Sequence, residues 1–141
     1  MKVFLDTNII IDALEGRENS SRPSLRLFDK ILDKQVTGII CCKQLSDIYY
    51  ITRNYFTLTE RKELISLLME SLVVISDSKF FMAKALKSSI PDFEDAFLDE
   101  VALTVKDAYF VTKNIKHFVS SKNLVITPEQ AVAFLDMQPS E

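Results

Sequence analysis

At 141 residues, 48% of them hydrophobic, the chain has the length of one domain and enough apolar side chain for a sizeable core. A net charge of −3 argues against a general polyanion-binding surface, so any contact with nucleic acid has to be local or aided by a cation. With only Gly16 and Gly38, glycine-rich phosphate cradles are excluded; Cys41 and Cys42 are adjacent, cannot build a disulfide framework, and read as small core residues.

In chain order, short apolar runs rich in β-branched and aromatic residues predict strands over 3–5, 36–41, 72–75, 109–111 and 124–126. Between them, amphipathic stretches predict helices over 8–14, 24–34, 43–55, 59–71, 78–87 and 93–105, and Pro128 opens a last one over 129–135. In the second helix Leu25, Phe28, Ile31 and Leu32 share a face; in the fourth, Leu64, Leu67, Leu68 and Leu72 do. Strands alternating with helices predict an α/β fold with a mostly parallel, doubly covered sheet. The loops at Asn19–Ser21 and Ser120–Ser121 read as turns, and no repeat or linker interrupts a single domain over 1–141. Charges interrupt every apolar run short of a membrane span, and the apolar run after Lys2 is too short for a secretory leader, so a cytoplasmic protein is expected.

Four positions fall where a strand hands over to a helix: Asp6, Asp47, Asp95 and Asn114. In open parallel sheets ligands collect at the carboxyl ends of the strands, which presents such side chains to a crevice, although an Asp in the place of Asp6 can equally cap the helix that follows. The segment from Asp92 to Glu100 packs five acids into nine residues. The helix dipole accounts for Asp92 and Glu94 but not for Asp99, which lies one turn after Asp95, where like charges repel unless a cation intervenes. The single histidine, His117, has no partner at zinc-ligand spacing and is at most a substrate contact. Clustered carboxylates are costly unless they share a hard cation such as Mg²⁺ or Mn²⁺.

These segments resemble a known family. Leu5-Asp6-Thr7-Asn8, Asp92-Phe93-Glu94-Asp95-Ala96 and Val111-Thr112-Lys113-Asn114-Ile115-Lys116-His117-Phe118 are similar, in order and spacing, to the motifs of the PIN domain, a small metal-dependent nuclease domain, and especially of the VapC-type toxins of toxin–antitoxin pairs. The resemblance runs from Lys2 to about Ile126. It implies three α/β/α layers around a parallel sheet of about five strands in the order 3-2-1-4-5, with an acidic cluster at the strand ends. Residue by residue, Asp6 takes the place of the family's first acid, Asp47 of the second, Asp95 of the third, and Asn114 of the fourth, which is Asp or Asn.

The implied activity is Mg²⁺- or Mn²⁺-dependent cleavage of RNA, with a small DNA-binding antitoxin as partner, a homodimeric state and no membrane. Asp6 and Asp95 would be the primary metal ligands, and Asp47 and Asp99 outer or second ligands. Thr7, Asn8 and Thr112 would support them. Lys43, Arg53, Lys113 and Lys116 would hold RNA, with Tyr49 or Phe118 available for base stacking. Two positions depart from the pattern: Asp47 replaces the usual Glu, and Asp99 stands where a small residue is usual, so it either supplements a weakened site or is a solvated helix residue. The alternatives are a catalytically weak RNA- or protein-binding module of this fold, or a phosphatase or phosphotransfer domain; Asn8 opposes the phosphatase, which wants a second Asp at that position.

Overall fold

A computed structural model describes residues 1–16 and 22–138. Five parallel strands, β1 (Lys2–Leu5), β2 (Thr37–Cys41), β3 (Val73–Ile75), β4 (Ala108–Val111) and β5 (Leu124–Ile126), form one sheet in the order β3-β2-β1-β4-β5. The helices are α1 (Thr7–Glu15), α2 (Pro23–Leu32), α3 (Cys42–Ile51), α4 (Leu58–Ser71), α5 (Lys79–Leu86), α6 (Phe93–Ala102) and α7 (Pro128–Asp136). This is the three-layer parallel architecture expected, and the strand order is the one the resemblance implied. Asn19–Ser21 lies outside the described residues, and no described helix is long and apolar enough to cross a membrane.

Alternation along each strand builds the layers. Val3, Leu5, Ile40 and Val111 point into one buried cluster with Ile9, Leu27, Ile48 and Leu68; Phe4, Ile39, Cys41 and Phe110 point into the other with Ala96, Phe97 and Phe118. Strands buried on both faces read as continuous apolar runs, which is why they were legible. Phe4 stacks on Phe110 at 5.8 Å, and Phe110 meets Phe118 at 4.6 Å. Gly38 lets the core close tightly: a β-carbon there would lie 2.7 Å from a methyl of Leu72 and 2.8 Å from one of Ile31, so either side chain would have to shift.

Several boundaries differ from the expectation for local reasons. The second helix ends at Leu32, because Lys34 takes a left-handed backbone with φ 60°. The third ends at Ile51 and tightens into a 3-10 turn, Thr52–Asn54. The fourth starts at Leu58 rather than 59, because Thr57 closes a capping box with Glu60. The expected face of α2 is also rotated: Ser24, Leu27 and Ile31 are buried, while Leu25, Phe28 and Leu32 turn toward α4. Cys42 is exposed and so departs from the reading of both cysteines as core residues; Cys41 alone is buried, its thiol pushed up to about 12 by burial and by Asp77.

Candidate active site

The order β3-β2-β1-β4-β5 reverses direction between β1 and β4, and the crevice at that reversal is where a parallel sheet presents side chains to a ligand. Asp6 is the residue after β1, and its N–H continues the ladder to the Val111 carbonyl at 3.0 Å. Asp6 has the N-cap position of α1, yet its carboxylate makes no capping hydrogen bond. It accepts instead from the buried Thr112 hydroxyl at 2.8 Å, and that hydroxyl in turn accepts the Asn114 N–H at 3.0 Å. The turn after β4 is thereby fastened to the turn after β1.

Burial raises the Asp6 pKa; the Thr112 hydroxyl opposes this and the charge of Asp95 adds to it. Asp95 is also raised, first by burial and then by Asp92 and Glu94, with His117 opposing. Its position follows from α6: Asp92 is the N-cap, accepting the Asp95 N–H at 2.9 Å, so Asp95 is the third residue of the first turn, and His117 Nδ1 sits 3.1 Å from its Oδ2.

Glu94 belongs to the same cluster, which its first-turn position alone did not reveal. Desolvation raises its pKa, Lys43 opposes, and Asp47, Asp6 and Asp92 raise it further. Asp47, on the second turn of α3, is ion-paired to Lys43 at 2.6 Å. Gln44 is the other residue not anticipated. It is fully buried, accepts the Cys41 N–H at 2.9 Å, and donates to the Leu5 carbonyl at 2.8 Å and to Thr7 Oγ1 at 3.2 Å, so it fixes the turn that carries Asp6. The one available signal was Gln at the third position after the N-cap Cys41, a capping-box place.

Other expected residues lie apart from the cluster. Asp99 is buried and faces the loop before β5: it accepts from the Ser121 hydroxyl and from Asn123 Nδ2, the latter at 2.8 Å, which makes it neither solvated nor free to supplement the site. Arg53 lies at the far end of α3, stacked on Tyr50 at 3.8 Å and donating to the Tyr50 carbonyl. Tyr49 is covered by Arg61 at 4.5 Å, and Phe118 is buried against Phe110, so neither offers a free ring. Lys113 pairs with Asp12 at 3.1 Å, beside the Arg22–Asp12 pair at 2.7 Å. Burial raises Asp12, but Ser24, Lys113 and Arg22 outweigh it and hold its carboxyl below the usual range.

Two openings flank the cluster. One, of about 270 Å³, is lined by Asn8, Ile11, Asp12, Glu15, Lys113 and Asn114. The other, of about 430 Å³, borders Asp95 and includes Lys116, His117 and Val119. The donors around them suit a hard cation. They are oxygens, the carboxylates raise one another's pKa, and Asn8 Oδ1 is buried without a hydrogen-bond partner among the described residues. No three His, Cys, Asp or Glu side chains among the described residues are grouped to hold an ion as they stand, which is consistent with Lys43 engaging Asp47 and His117 engaging Asp95.

A family model, that of the PIN domain, matches residues 2–116. The chain belongs to the PIN domain family. Members of this family are generally nucleases. No curated protein is similar enough in sequence to match. Among solved structures, the PIN chain is similar to one in VapBC-1 from nontypeable Haemophilus influenzae, with a TM-score of 0.66 and 17% identity over 92% of this chain and 99% of that one. It is similar to one in VapBC2 from Rickettsia felis, bound to a DNA fragment from their promoter, with a TM-score of 0.65 and 21% identity over 90% and 98%. A toxin–antitoxin complex from Klebsiella pneumoniae gives 0.63 and 19% over 89% and 97%. At these identities the likeness is one of fold.

Proposed function

We propose that this PIN domain is a divalent-metal-dependent endoribonuclease and the toxin of a toxin–antitoxin pair. The observation that carries the reading is the placement of Asp6, fastened by Thr112 and electrostatically coupled to Asp95, at the reversal point of the sheet. Asp6 and Asp95, with Asn114 beside them, would hold Mg²⁺ or Mn²⁺. The ion supplies Lewis acidity, neutralising the scissile phosphate and acidifying the attacking water. Thr112 holds Asp6 in one rotamer, Gln44 holds the backbone under it, and Asn114 offers an amide to orient the water. Lys116, at one opening, and Lys113, which borders the other while paired with Asp12, would meet the phosphates of a strand lying across the site.

The partner reading rests on a second feature. Between α1, α2 and α4 runs an apolar groove of about 160 Å³ whose walls include Ile10, Leu14, Leu25, Phe28, Leu64 and Leu67. Such a groove suits the apolar face of an amphipathic helix. Because the similar solved structures are toxin–antitoxin complexes, we assign it to an antitoxin helix.

The test is cleavage of a mixed RNA by the purified protein with Mg²⁺ or Mn²⁺ and with EDTA, alongside Asp6→Asn and Asp95→Asn. Loss of a ligand carboxylate is expected to reduce the rate by at least about a hundredfold. Cleavage that survives EDTA contradicts the reading. A catalytically weak binding module is the second reading, favoured by the engagement of Asp47 with Lys43 and of Asp95 with His117; RNA binding without cleavage at saturating Mn²⁺ selects it.

A further inference from the structure

Lys43 stands in an unfavourable place for a lysine. It is the second residue of α3, where the helix dipole repels a cation, and it precedes Asp47 by four positions, the weaker orientation for an ion pair within a helix. Nothing local to α3 calls for it. Its surroundings do. The ammonium lies 2.6 Å from Asp47 Oδ2 and 5.9 Å from the centre of the Phe97 ring, and Glu94 adds its own attraction. Its backbone N–H is anchored to Asp77 at 2.8 Å, so the head of the helix is held while the side chain leans into the carboxylates.

Charge bookkeeping then divides the cluster in two. Asp6 and Asp95 together match one dication when ionised. Asp47 and Glu94 carry the same charge, but Lys43 cancels half of it; Asp92, which also acts on Glu94 and Asp95, is engaged as the N-cap of α6 through the Asp95 N–H, and the single negative charge left to Asp47 and Glu94 is a poor site for a second hard cation.

We propose that the Lys43 ammonium is a built-in counter-ion that takes up the charge of Asp47 and Glu94 and so restricts this centre to one divalent cation, held at Asp6 and Asp95. The assignment rests on the metal-dependent reading above. It makes Lys43 a positioning residue for the carboxylates rather than a free contact for RNA, and it gives the short side chain of Asp47 a role, since the pair with Lys43 already closes at 2.6 Å.

Mn²⁺ binding, followed by calorimetry and by the paramagnetic signal of free Mn²⁺, tests this without reference to activity. The native protein should take up about one equivalent, Lys43→Met about two, and Lys43→Arg about one, because an ammonium's worth of charge decides the count. Lys43→Met combined with Asp6→Asn should keep about one, at the new position beside Asp47 and Glu94. If Lys43→Met does not fold, Asp47→Asn serves in its place: it should leave the native count at about one, whereas a two-ion centre that uses Asp47 would lose an equivalent. Two equivalents on the native protein, or one on a folded Lys43→Met, overturn the assignment of Lys43 alone. No Mn²⁺ on the native protein overturns the metal-dependent reading, and this proposal with it.

Discussion

Thr112 closes a 2.8 Å hydrogen bond onto Asp6 across 106 positions of sequence, in a place where both residues are buried. The bond selects one orientation of the carboxylate at the reversal point of the sheet. Thr112→Val keeps the shape and removes the hydroxyl, so Mn²⁺ affinity and RNA cleavage should fall by about 10- to 100-fold. The fold should lose only about 1–3 kcal/mol, the cost of leaving the Asp6 oxygen and the Asn114 N–H unmatched. Thr112→Ser should retain most of the activity. A Thr112→Val protein that binds Mn²⁺ like the native one would remove Thr112 from the site.

The raised pKa of Asp6 fixes the sign of a pH effect. A carboxyl whose folded-state pKa lies above its unfolded value contributes stability that is fully present below the unfolded pKa and lost as pH rises through the folded one. In EDTA, native protein and Asp6→Asn should therefore melt at similar temperatures at the acid end. The variant should gain on the native protein as pH climbs from the ordinary carboxylate range toward neutrality. Saturating Mn²⁺ at neutral pH should reverse the order, because only the native carboxylate is stabilised by the ion. Melting curves across this range decide it; a constant difference at every pH would mean that Asp6 carries no strained charge.

The strands and the ends of β1 and β4 were legible because their signals are local: an apolar run, then Asp6 or Thr112 and Asn114. Partners far along the chain were not. Asp99 follows Asp95 by one helical turn, which suggested a shared ligand set, yet its partners Ser121 and Asn123 lie on the loop before β5, and nothing in α6 announces them. Gln44 was passed over because a polar side chain in a helix reads as solvated, whereas here it satisfies three buried groups at once. The periodicity of α2 put Leu25, Phe28, Ile31 and Leu32 on one face; Ile31 is buried and Phe28 packs partly against the core, while Leu25, Phe28 and Leu32 also line the groove, a division that spacing within one helix does not show.

Asp99→Ala separates bracing from catalysis. Its carboxylate anchors the loop between the 3-10 turn Ile115–Phe118 and β5 through Ser121 and Asn123. Removing it leaves the half-buried Ser121 hydroxyl without its acceptor, while Asn123 Nδ2 keeps the Asp99 carbonyl at 3.0 Å, so the unfolding free energy should drop by about 1 kcal/mol. Mn²⁺ affinity of the folded fraction should stay within about threefold of native, since no charged ligand is lost. A selective loss of Mn²⁺ with unchanged stability would return Asp99 to the metal site.

The groove between α1, α2 and α4 can be tested apart from the acidic site. Leu67 is 46% exposed on its wall, so a charge there meets water in the free protein and costs the fold little. In a complex the same charge would be desolvated against an apolar helix, a cost of several kcal/mol, or about a hundredfold or more in affinity. Leu67→Glu should therefore abolish binding of the antitoxin's amphipathic helix, measured as capture of the co-expressed partner, while metal-dependent RNA cleavage by the isolated protein stays native. It should also leave the protein's own mass in solution unchanged. A shift from dimer to monomer in Leu67→Glu would assign the groove to a second copy of this chain, and retained capture of the antitoxin would place that helix elsewhere.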